Sequence, residues 1–271
     1  MTQRLVLVAA TIFVTACGGR DPGHGADLGG ADDDLGGFVT HEVDLAGFDF
    51  PPQLGTIYAH TATTLYTVDP TTFDLTTIGD FGGMDDMTDL AVTPDGNVYT
   101  ISRTSLYKVD STTGVATQIV SGIASSNVAL TFNNDGTLLA ADQAGAVRVI
   151  DPSSGAVTDL GTYGTGYDTA GDLVAIADGT MFGVSTKAPS LGSTTNVLIK
   201  VNTGNAKATT VGKIGYEGVF GVAYAGGRVL AFTNTGQIIR IDPATGTGTL
   251  VATHTGIKFY GAGTSPLVPV L

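Results

Sequence analysis

Tryptophan is absent from the 271 residues and cysteine occurs once, so neither an internal disulfide nor a Cys/His metal site can organise the fold. Bases are scarce as well: 12 Lys and Arg stand against 25 Asp and Glu, a formal net charge of -13. That deficit argues against a nucleic-acid partner, because phosphate neutralisation needs clustered cations. Outside the N-terminal segment no run has helical periodicity, and there is no nucleophile elbow, metalloprotease helix or phosphate loop. What the chain has in quantity is Gly, at 39 residues, with many Thr and Val and a hydrophobic fraction of 42%. This composition predicts short strands joined by tight turns around an ample core, an all-β domain.

The address of the lone Cys is informative. Arg4 precedes an apolar run from Leu5 to Val14, which leads into Val14-Thr15-Ala16-Cys17. The run is too short to span a bilayer and suits a signal h-region. Its last four residues resemble the bacterial lipobox. The resemblance implies a signal peptide over residues 1–16, cleavage before Cys17, and acylation of Cys17 as a membrane anchor. An extracytoplasmic, lipid-anchored protein of the cell envelope is the expectation, with the outer membrane or cell surface favoured over the inner membrane. Residues 17–50 are dominated by Gly and Asp and read as a flexible tether. Residues 51–271 are expected to form one domain and to be monomeric.

That domain repeats. Leu65-Tyr66-Thr67-Val68-Asp69 recurs as Leu106–Asp110, Val147–Asp151, Leu198–Asn202 and Ile238–Asp242, with spacings close to those of a propeller blade. Each copy ends in a turn such as Asp242-Pro243-Ala244-Thr245-Gly246. A second column, Asp95-Gly96, Asp135-Gly136, Asp178-Gly179 and Gly226-Gly227, is read as two-residue hairpins. Four strands per repeat follow, lettered A to D; in the second repeat they are Leu90–Thr93, Val98–Ser102, Ser105–Asp110 and Ala116–Val120. The first repeat lacks strand A, and Phe259–Gly263 supplies it. A five-bladed β-propeller closed by the C-terminal strand is predicted, with six blades as the alternative. The Asp-Pro-x-Thr-Gly turns and Asp-Gly hairpins resemble the broad YVTN, NHL and quinoprotein-like group of bacterial secreted propellers. The Trp docking motifs of pyrroloquinoline-quinone enzymes are missing, which makes that cofactor unexpected.

Antiparallel order puts the A–B and C–D turns on one face, where short turns leave little room for a site. The B–C and D–A loops share the other face, and the fourth B–C loop is long, Thr186 to Val197. The D–A loops collect Asp85 and Asp86, Tyr167 and Asp168, Tyr216 and Glu217, and Tyr260 as candidate ligand-face residues. Asp89, Asn127, Asp172, Phe220 and Tyr260 align at the starts of the inner strands, expected to ring the channel mouth. Asp89, Asn127 and Asp172 could there hold a hard cation such as Ca²⁺, or simply cap strands and face water. His60 stands in an otherwise apolar column, as a core or a catalytic residue. No catalytic residue is assigned. The functional expectation is a non-catalytic binding or scaffold propeller offering its loop face to a protein or glycan. The alternative is a hydrolase or lactonase with a central Ca²⁺.

Overall fold

The computed structural model describes residues 55–268, apart from 84–85, 124–125, 190 and 192–194. Cys17, the signal segment, the tether and Asp85 therefore lie outside the described residues. The chain divides into Met1–Asp49 and Phe50–Leu271, and the described residues all belong to the second unit.

Among the described residues all regular structure is β. Blade 1 comprises β1 (Ile57–His60), β2 (Thr64–Val68) and β3 (Leu75–Asp80). Blade 2 holds β4 (Asp89–Val92), β5 (Val98–Ile101), β6 (Ser105–Val109) and β7 (Ala116–Ser121), each end within one residue of the sequence expectation. Blade 3 follows with β8 (Asn127–Phe132), β9 (Leu138–Asp142), β10 (Ala146–Ile150) and β11 (Val157–Thr162). Blade 4 is β12 (Leu173–Ala175), β13 (Met181–Ser185), β14 (Val197–Val201) and β15 (Ala208–Lys213). Blade 5 is β16 (Val219–Ala225), β17 (Arg228–Thr233), β18 (Gln237–Ile241) and β19 (Gly248–Thr253). The last strand, β20 (Gly261–Gly263), pairs antiparallel with β1, so blade 1 has the order β20-β1-β2-β3. The ring is a five-bladed propeller; the six-bladed alternative is excluded, and the C-terminal closure stands as predicted.

The inner strands touch in the cyclic order β4, β8, β12, β16, β20. One apolar core sits between each pair of adjacent blades. Leu65, Phe81 and Met87 pack on Leu90 and Tyr107 between blades 1 and 2, and Phe232 and Phe259 pack on Ile57 between blades 5 and 1. These inter-blade cores are built without tryptophan, from aliphatics and from Phe and Tyr side chains buried completely.

The turns explain the repeat. In each C–D connection the residue after strand C (Asp69, Asp110, Asp151, Asn202 or Asp242) accepts on its side chain the N–H two residues on, at 2.7–2.9 Å. Its backbone carbonyl accepts the N–H four residues on, where the backbone turns left-handed at Phe73, Gly114, Gly155, Ala206 and Gly246. The Asp-Gly connections differ from the two-residue expectation. Thr93, Asn133 and Ile176 each pair with the residue four positions on, leaving three-residue loops whose third residue, Gly96, Gly136 or Gly179, has positive φ. A type I turn closed by a left-handed Gly gives that loop. Gly226-Gly227, with both φ positive between paired Ala225 and Arg228, is the two-residue case.

Candidate functional site

Asp89 and Asp172 stand at the hub, each fully buried rather than at a wet channel mouth. Asp89 lies on β4, and Asp172 immediately precedes β12 two blades away, yet the two carboxyl groups share a hydrogen bond. Around them converge five backbone N–H groups. Leu90 N–H donates to Asp89 Oδ1 at 2.8 Å and Leu130 N–H to Asp89 Oδ2 at 2.6 Å. Leu173 N–H donates to Asp172 Oδ1 at 2.5 Å, while Val222 N–H and, at 3.4 Å, Ala262 N–H donate to Asp172 Oδ2. Leu90, Leu130, Leu173, Val222 and Ala262 are the same position of the inner strand in blades 2, 3, 4, 5 and 1, opposite Thr100, Ala140, Gly183, Ala231 and Ala59. Closing five strands around an axis points one N–H per blade inward, where no strand can accept it, and a buried orphan donor is costly. The two carboxyl groups are the acceptors that the geometry demands.

Burial first, then the adjacent Asp172 carboxylate, pushes Asp89 well above the ordinary carboxylate range. Burial also raises Asp172, against the hydrogen bond from Asp89 and the three N–H donors, which favour its charged form. Two carboxylates this close cannot both ionise away from water, so the pair holds one proton between them. This donor set does not suit Ca²⁺. A hard cation needs six to eight or so ionised and carbonyl oxygens, whereas these oxygens already accept N–H dipoles that oppose a cation. Asn127 is fully buried, and its amide nitrogen donates to the Arg103 carbonyl at 3.0 Å. Among the described residues no three His, Cys, Asp or Glu side chains gather as a metal site.

His60 joins the hub. It is fully buried, ends β1, and donates Nδ1–H to the Thr61 carbonyl at 2.7 Å, which leaves Nε2 as the unprotonated nitrogen, without a partner. Burial lowers its pKa to about 4 from the ordinary 6.5, so the ring is neutral. Its ring meets Phe81 edge-on, centroids 5.7 Å apart. Gly261 lies between His60 and Asp89: a Cβ there would come 2.3 Å from Asp89 Oδ1 and 2.4 Å from His60 Nε2. Only glycine lets β20 close the ring at this point.

Several expected ligand-face residues prove to hold loops. Asp168 accepts the Thr186 N–H at 2.8 Å, the Ser185 and Thr186 hydroxyls at 2.9 and 2.6 Å, and pairs with Lys187 Nζ at 3.3 Å. It therefore ties down the start of the long B–C loop. Asn196, which sequence reasoning missed, ties the other end by accepting the Val219 N–H at 2.9 Å. That loop ends at Asn196, since Val197 already opens β14. Tyr167 hydrogen-bonds Thr210 at 2.9 Å, and the Tyr216 hydroxyl accepts the Leu250 N–H at 3.1 Å, joining blade 4 to blade 5. Asp86 and Glu217 are exposed. Tyr260 is half-buried against Phe220, ring centroids 6.2 Å apart and tilted by 55°. The turn face, expected to leave little room, instead bears open hollows of about 250–600 Å³.

No protein-family model matches the chain, and no curated protein matches it. Solved structures do. A chain from work on the de novo evolutionary emergence of a symmetrical protein is similar with a TM-score of 0.56 and 16% identity, covering 79% of this chain and 100% of that one. A chain of the nidogen/laminin complex is similar with a TM-score of 0.54 and 12% identity, over 79% of this chain and 99% of its own length. At such identities the likeness is one of fold: the chain is a five-bladed β-propeller.

Proposed function

We propose that the chain is an envelope-anchored, non-catalytic binding propeller that offers its B–C and D–A loop face to a protein or glycan. The observation that carries this reading is the division of labour among its polar residues. The buried carboxyls at the hub are engaged with backbone donors, whereas exposed Asp86 and Glu217 and the Tyr260–Phe220 pair stand free of that network on a rigid ring. A half-buried aromatic pair, with exposed acids on other D–A loops of the same face, suits a partner with an apolar patch beside hydroxyls or cations. In this reading Cys17 carries the lipid and the Gly/Asp-rich segment lets the ring reach its partner.

Crosslinking from intact envelopes and a glycan array, run with the wild type and with Phe220→Ala plus Tyr260→Ala, test it. A partner retained by the wild type and lost by the variant is the expected result. A partner set that is empty, or the same for both proteins, would overturn the reading. Cys17→Ser is expected to move the protein from the membrane to the soluble fraction; unchanged fractionation refutes the anchor.

A further inference from the structure

The turn face of blades 4 and 5 carries a feature at odds with the acidity of the chain. Three hollows adjoin there, of about 300, 280 and 550 Å³. The first and second share Thr180 and Lys200, and the second and third share Gly227 and Pro243, so together they make one groove across two blades. Lys207, Lys200, Arg228 and Arg240 line it, four of the ten Lys and Arg among the described residues.

All four are exposed, and among the described residues none forms an ion pair; the pairs found use Arg148 and Lys187. Two acids also border the groove, but each serves its own turn. Asp178 accepts the Thr180 N–H and Asp242 the Ala244 N–H, both at 2.8 Å. The repeat explains the placement. Lys200 and Arg240 occupy the same position of strand C, and each faces a threonine on strand D, Thr209 and Thr249. Cation and hydroxyl therefore recur side by side in successive blades. In blade 2 the equivalent hollow has one cation, Lys108, beside Val115 and Ile119, which are 49% and 39% exposed.

We propose that this groove binds a linear acidic polysaccharide, its carboxylate or sulfate groups on the four cations and its hydroxyls on the threonines. An extended chain matches a groove that spans two blades. The hydroxyls and charges along the groove offer sugars many polar partners, and the middle hollow adds an apolar lining of Ile176, Phe182 and Tyr224 beneath them. The site lies on the face opposite the Tyr260–Phe220 pair and does not depend on the loop-face reading.

The test is calorimetric titration of the full-length protein with oligogalacturonate, with a sulfated oligosaccharide, with neutral dextran and with oligoglutamate. Binding of at least one acidic oligosaccharide, and not of dextran, is expected, with Kd rising about tenfold or more between low and high salt. Lys200→Glu plus Arg240→Glu should raise Kd by about tenfold or more while leaving the melting temperature unchanged, since both side chains are exposed. Lys258→Glu, on the other face, should bind as the wild type does. Absence of binding to both acidic sugars, equal binding of dextran, equal or tighter binding of oligoglutamate, or an unaltered double variant would each overturn the proposal.

Discussion

At the residue scale the hub sets two titrations against each other. His60 is kept neutral by burial, with a folded pKa of about 4 below its ordinary 6.5. The unfolded chain therefore takes up a proton first as the pH falls, and stability is lost between about 6.5 and 4, by about 3 kcal/mol. The Asp89–Asp172 pair runs the other way. Its raised pKa means that the stability of the shared proton is complete below the ordinary carboxylate range and declines as pH rises through the folded value. His60→Phe keeps the ring against Phe81 and removes the titration. Urea unfolding from pH 6.5 to 4 should then show a flatter loss of stability than the wild type; an unchanged slope would exclude His60 as its source. Of the expected column, Asp89 and Asp172 do share a level of the ring, each one residue before the equivalent Leu90 and Leu173. A register shift in β8 instead puts Ala129 at that level and Asn127 two residues earlier. The pairing of Asp89 with Asp172 was not legible. Spacing gives a residue's level in the ring to within such a shift, while partners across the ring depend on closure of the inner strands.

Elements follow the sequence most closely where turn chemistry is local. Asp before Pro or Ser/Thr and Gly four residues later specify one turn, and four of its five acceptor positions are Asp. Hydrogen bonds from the turn hold the exposed carboxylates of Asp69, Asp110, Asp151 and Asp242 below the usual range. Their stabilisation is present above that range and fades in stronger acid, at a lower pH than the His60 effect. The loop length of the Asp-Gly hairpins was less legible, because Asp-Gly serves two- and three-residue loops alike. A contact between blades was also hidden. Each C–D turn leans on strand D of the preceding blade, so that Gly114 meets Gly79, Gly155 meets Val120 and Gly246 meets Gly212. A Cβ on Gly114 would lie 2.7 Å from the Gly79 carbonyl carbon, on a backbone with φ of 82°. Gly114→Ala is therefore expected to cost about 2 kcal/mol or more in denaturant unfolding; an unperturbed midpoint would mean that the blades can part there freely. A bulge offsets strands C and D in all five blades, between Leu65 and Tyr66 in the first, which roughens the outer edge strand against pairing with other chains.

For the whole molecule the ring closes twice, once through the backbone of its last strand and once through side chains at its axis. Through the backbone, β20 completes blade 1 as its inner strand, and the residues after it lock to their neighbours: the Thr264 hydroxyl donates to the Tyr224 carbonyl at 3.0 Å, and the Ser265 hydroxyl to that of Pro94 at 3.3 Å. At the axis the two carboxyls gather one N–H from every blade. This double closure accounts for a core that does without tryptophan, disulfide or metal ligand cluster among its described residues. The count of blades was legible because hairpin signals repeat along the chain. The cationic groove was not, since its four cations are separated in sequence and met only when blades 4 and 5 packed side by side. The central claim, that Asp89 and Asp172 are the axial fastening of the ring, is tested most directly by equilibrium urea unfolding at pH 7 of the wild type, Asp172→Ala and Asp89→Asn. Asp172→Ala orphans three buried N–H groups and should lose about 3–5 kcal/mol. Asp89→Asn, whose amide can replace the shared proton as donor to Asp172 but cannot accept both the Leu90 and Leu130 N–H groups, orphans one donor instead of three and should lose less than Asp172→Ala. An Asp172→Ala protein as stable as the wild type would contradict the account.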